Sequence, residues 1–169
     1  MDKKLRTAAI KRMKVLPMFA YIKDNEEALE LIAEKFKIIR KKAGRDIVTE
    51  GEEGDTMFIL NSGSVSIRKH TFEADPYTVI SLHASSHVVF GEQAMLDSDK
   101  RSATVKAETD CELFAFDRKG FRDLSRTHPD YMLPVLVFLA KELSQRLRKA
   151  NQDIITLFEA LVNEIREES

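Results

Sequence analysis

A chain of 169 residues with 43% hydrophobic and 33% charged content is one ordinary domain, or a domain with a helical extension, and has enough apolar residues for its own core. Its 27 basic side chains against 28 acidic ones leave a formal net charge of −1, so nothing drives the whole molecule toward nucleic acid and any anion site must be a local arrangement. The single cysteine, Cys111, excludes an intrachain disulfide framework and a cysteine-based metal site, and the longest apolar run, residues 132–140, falls far short of a membrane span. With an N-terminus interrupted by charge every few positions, these features predict a cytoplasmic protein without a secretory leader.

Residues 1–43 read as helix. Leu29, Ile32, Ala33 and Phe36 fall on one face, Asp24 or Asn25 can cap the start, and Gly44 stands just beyond a basic last turn. From 45 to 118 the period becomes that of strands, with β-rich runs at 46–50, 56–60, 64–69, 77–82, 87–90, 102–107 and 111–117. Gly51, Gly54 with Asp55, and Asn61-Ser62-Gly63 separate them as turns, and residues 72–77 read as an exposed hairpin tip. Many short strands with glycine turns predict an α+β, mainly β, fold: an antiparallel β-roll or jelly roll.

Helix returns after 119, first a short one and then a long one. In the long helix Leu136, Ala140, Leu143, Leu147, Ala150, Ile154, Leu157 and Leu161 step alternately by four and three, an a/d seam flanked by charge. The expected organisation is a roll with N-terminal helices over 1–128 and a C-terminal helix over 129–169, both in one structural unit. The first part of the seam is expected to lie against its own domain and the remainder, within 136–161, against a second copy in a parallel homodimer. A helix folded back on its own chain is the other way to cover such a seam.

The stretch FGEQAMLDSDKRSATV, 90–105, interrupts the strands with a short helix and a polar loop. Gly91 permits a sharp departure from the preceding strand, and free N–H groups at the start of the short helix would favour an anion. Arg101, entering the next strand, can aim its guanidinium at the same point and bind a phosphate through two donors. Glu92 cannot ligate a phosphate but can accept a hydrogen bond from a sugar hydroxyl. Glycine, carboxylate and arginine together describe a pocket for a ribose phosphate with one negative charge. Taken alone, Arg101 could equally bridge to Glu92 or Asp97.

FGEQAMLDSDKRSATVKA resembles the phosphate-binding cassette of the cyclic nucleotide-binding domain family. GRDIVTEGEEGDTMFILNSGSVSI resembles the family's glycine-punctuated strands, and LPMFAYI its entry helix. The resemblance implies a non-catalytic sensor in signal transduction whose ligand is cAMP or cGMP, with no cofactor and no metal. By position it implies that Arg101 pairs with the cyclic phosphate, supported by Ser102 and by the backbone of Ala94. Glu92 and the Gly91 backbone would take the ribose 2′-hydroxyl, with Val89, Phe90, Met95, Leu96 and Val105 as an apolar shell. Arg146 falls where bacterial activators of the family read the base. It would lie against the purine or, as an ordinary helix residue, pair with Glu142. Ser102 tilts the expectation toward cAMP. Binding would shift a population in which the cassette moves inward and the long helix changes its angle or closes over the base.

The chain ends at IREES, where the activators continue into a helix-turn-helix, so no direct DNA-binding element is expected and the effector partner is unidentified. Two other readings keep the fold: a dimerisation module that binds no ligand, or a fragment of a transcription regulator. A third, a metal-dependent cupin using His83, His87 and Glu92, lacks the closer histidine pair and later histidine that such a site needs.

Overall fold

A computed structural model describes residues 3–70, 76–97 and 100–167. The chain opens with α1 (Lys3–Val15), a 3₁₀ turn at Pro17–Phe19, and α2 (Glu26–Glu34). Asn25 caps α2 by accepting from the Ala28 N–H at 3.0 Å, and Glu26 and Glu27 complement the dipole of its first turn. The helix stops at Glu34, earlier than its pattern predicts. Residues Lys37–Lys41 form a strand instead, β1. Ile38 and Ile39 are β-branched, and the run finds an antiparallel partner at least seventy positions away, Lys37 opposite Ala115 and Lys41 opposite Cys111.

The remaining strands are β2 (Asp46–Val48), β3 (Thr56–Ser62), β4 (Ser64–His70), β5 (Pro76–His83), β6 (Val89–Phe90), β7 (Thr104–Ala107) and β8 (Cys111–Asp117). They form two four-stranded antiparallel sheets, ordered β1-β8-β3-β6 and β2-β7-β4-β5, which is the expected roll. The proposed hairpin tip lies largely outside the described residues, between β4 and β5. Cys111, at the start of β8, is a small core residue donating to the Ser64 carbonyl, and burial raises its thiol pKa.

Strand alternation divides the apolar residues between two cores. Phe58, Leu60, Leu113 and Ala115 point into the roll, where they meet Val65, Phe90 and Val105. Their neighbours Met57, Ile59, Phe114 and Phe116 point outward and are covered by helices through Phe19, Leu29, Ile32 and Phe36. The β3 and β8 sheet is thus buried on both faces, which is why MFIL and LFAF are continuously apolar.

Two helices close the chain, α3 (Arg118–Thr127) and α4 (Pro129–Glu167). Asp117 caps α3 by accepting from the Gly120 N–H at 2.8 Å, and Lys37 holds the same carboxylate. Met132, Val135 and Leu139 dock α4 on the helical core. This docking stripe runs beside the a/d seam rather than along it. Leu136 is already 40% exposed, and Leu147, Ile154, Leu157 and Leu161 stay exposed on the free length of the helix.

Candidate functional site

The cassette is built by a turn that only glycine makes without strain. β6 delivers the chain to Gly91 at φ 72°, in the left-handed region. A Cβ there would stand 2.6 Å from Arg101 Nη1 and 3.0 Å from the Thr56 carbonyl oxygen, so the position must be both left-handed and bare. The short helix expected here is a single 3₁₀ turn, Glu92–Met95, which sinks Ala94 and Met95 into the helix-side core. Within that turn the Ala94 N–H donates to the Gly91 carbonyl at 3.2 Å, and the Ala94 carbonyl accepts from Arg118 Nε. Arg118 also reaches the Gly54 carbonyl at 3.3 Å, tying the first residue of α3 to the cassette turn and to the loop after β2.

Arg101 lies before β7, which starts at Thr104. The loop after β2 brackets it: its N–H donates to the Glu52 carbonyl at 2.8 Å, and its carbonyl accepts from the Gly51 N–H at 2.9 Å. Its guanidinium donates to the carbonyls of Thr56 at 2.7 Å and Gly91 at 3.3 Å, and stands 5.9 Å over the Phe58 ring. Neither Glu92 nor Asp97 pairs with it. Burial pulls its pKa below the usual arginine value, Asp55 and Glu92 pull it back up, and Arg118 adds to the fall. The group stays a cation, partly desolvated and contacting neutral carbonyls. That arrangement suits an anion arriving from outside the chain.

The open side of Arg101 faces a cavity of about 470 Å³. All six residues singled out in the sequence line it: Gly91, Glu92, Ala94, Arg101, Ser102 and Arg146. The roll supplies apolar wall through Val48, Ile67, Val89, Phe90 and Val105. Among the charged residues lining it, Lys69, Lys100, Arg101 and Arg146 face two carboxylates, Glu92 and Asp97, a local excess of two positive charges. Lys69, from β4, carried no sequence signal. Gly54 was read only as a turn former, yet Arg101 lies across it, where a Cβ would strike the guanidinium. Arg118 carries no sequence signal either, since the Ala94 and Gly54 carbonyls it reaches are far from it along the chain.

Glu92 sits across the cavity with its side chain only 10% exposed, and its Oε1 accepts from Nη1 of Arg146 on α4. Arg146 thus pairs with neither Glu142 nor another α4 residue. Thr104 is a strand residue, its hydroxyl accepting from the Glu50 N–H at 3.0 Å. His87 adopts φ 58° at the end of a 3₁₀ turn, its Nδ1 2.9 Å from the Ser85 carbonyl oxygen. Among the described residues no three histidine, cysteine or carboxylate side chains stand together as metal ligands, and no helix is long and apolar enough to cross a membrane.

Comparison with known proteins agrees with this geometry. A family model described as the cyclic nucleotide-binding domain matches residues 38–128. The cAMP-dependent protein kinase regulatory subunit of Aspergillus niger is 32% identical over 69% of this chain and 27% of its own length. The cAMP-activated global transcriptional regulator CRP of Haemophilus influenzae is 30% identical over 66% of this chain and 47% of its own. Among solved structures, the catabolite activator protein of Thermus thermophilus superposes with a TM-score of 0.73 at 28% identity, covering 83% of this chain and 62% of that one. The chain therefore spans between about a quarter and a half of these curated relatives.

Proposed function

We propose that this chain, which belongs to the cyclic nucleotide-binding domain family, is a non-catalytic sensor that seats cAMP in the cavity beneath α4, with cGMP as the weaker ligand. The observation that carries the reading is the Arg101 guanidinium, partly desolvated, without a carboxylate partner among the described residues, and open to a cavity whose described lining has a positive excess. A cyclic phosphate carries one negative charge. Two of the five guanidinium N–H groups serve carbonyls, and phosphate oxygens would take donors that these bonds leave over. Ser102, on the same wall, adds a hydroxyl, and Glu92 accepts from the ribose. The apolar roll residues enclose the remainder of the ligand. Nothing in this mechanism makes or breaks a covalent bond: binding energy is converted into a change in the position of α4. The exposed α4 seam within 136–161 pairs with a second copy, and a cytoplasmic effector protein reads the outcome.

The test is an equilibrium titration of folded, ligand-free chain with cAMP, cGMP and 5′-AMP. Saturable binding is expected for cAMP, weaker binding for cGMP, and little for 5′-AMP, whose open phosphate carries more charge and a different shape. No saturable binding of either cyclic nucleotide would leave α4-mediated dimerisation as the chain's function.

A further inference from the structure

Arg146, more than half exposed on α4, reaches across to the nearly buried Glu92 carboxylate. Beyond the nucleotide cavity lies a second cavity of about 270 Å³, between the Pro17–Phe19 turn and α4, whose walls include Leu16, Met18, Phe138 and Leu139. Glu92 and Arg146 line both cavities. The ion pair therefore stands in the partition between them, linking the start of the cassette turn to α4 across 54 positions of sequence.

From this placement we infer that Arg146 is a positioning residue for the ribose: it holds the Glu92 carboxylate in place to accept the 2′-hydroxyl, and so ties α4 to that hydroxyl. A carboxylate 10% exposed is costly to keep charged without a partner, and Arg146 is the cation that contacts it. Nη1 takes Oε1, which leaves Oε2 for a further donor. A sugar hydroxyl at Oε2 completes a chain from ligand through Glu92 to α4, each link a charge-assisted hydrogen bond. Arg146 itself is 55% exposed, so its side chain adds little to the core, and its truncation acts through Glu92 rather than through folding. The inference rests on the nucleotide-binding reading above, but it moves Arg146 from the base to the sugar.

The two placements separate in one experiment. The affinities of cAMP and 2′-deoxy-cAMP are measured for the full chain as wild type, Arg146→Ala and Arg146→Lys. The wild type is expected to prefer the ribonucleotide. Arg146→Ala should weaken cAMP about tenfold while changing the deoxy analogue much less, so that the preference collapses. Arg146→Lys, which keeps the charge, should restore most of it. Equal losses for both nucleotides would assign Arg146 to the base or phosphate, and unchanged affinities would make the ion pair incidental. Either result overturns the inference while leaving the sensor intact. A wild-type chain that binds neither nucleotide overturns the inference together with the reading beneath it.

Discussion

Gly51 and Gly54 stand three residues apart in one loop, yet they are glycine for different reasons. Gly51 has φ 80° and open space where a Cβ would point. Gly54 has no left-handed requirement, but a Cβ there would occupy the space of the Arg101 guanidinium. Alanine should separate the two roles. Gly51→Ala is expected to cost roughly 1 kcal/mol of stability, from the left-handed backbone, with nucleotide affinity unchanged. Gly54→Ala should leave the thermal midpoint nearly unchanged and weaken cAMP about tenfold or more, because Arg101 must move aside. Thermal melts and titrations on the two variants check both statements. Unaltered affinity in Gly54→Ala would mean that the position of Arg101 is not what the ligand uses. A cassette confined to residues 90–105 was legible in sequence because its glycine, carboxylate and arginine are near neighbours. Gly54, Lys69 and Arg118 come from a loop, a strand and a helix elsewhere in the chain, and only the topology brings them near Arg101.

At the scale of elements, α4 presents two adjacent apolar stripes, one docked on the domain and one exposed. Met132, Val135 and Leu139 are buried against the domain, whereas Leu147 and Leu157 are 63% and 70% exposed. A regular apolar stripe left in water is an interaction surface rather than a random scatter. If it pairs with a second copy, each buried leucine contributes about 1.5–3 kcal/mol, and a charge in its place removes that and adds a desolvation cost. Leu157→Lys is therefore expected to weaken the dimer by at least about 100-fold while the monomer keeps its fold, as read by sedimentation equilibrium. A wild-type chain that sediments as a monomer would contradict the parallel-dimer reading. The heptad periodicity was legible because helical spacing is local. Which stripe docks on the domain was not, since Leu136 and Val135 are adjacent in sequence and equally apolar. β1 shows the same limit: Leu29, Ile32 and Phe36 recur at helical spacing into FKIIRKK, and only β8, far along the chain, recruits that run into a sheet.

Taken whole, a molecule of net charge −1 gathers four cations against two carboxylates around one cavity, so its affinity for an anion is local and not a property of its overall charge. Both sheets, the cassette and α4 line that cavity, and Arg101 is the point where the loop after β2, the cassette and the roll core meet. The direct measurement is a calorimetric titration of the ligand-free chain with cAMP, wild type beside Arg101→Ala. The expected result is saturable binding by the wild type and an affinity about 100-fold lower in the variant, since the ligand's charge loses its partner in a partly desolvated site. Equal affinity in the two proteins would place the phosphate elsewhere and contradict the role given to Arg101.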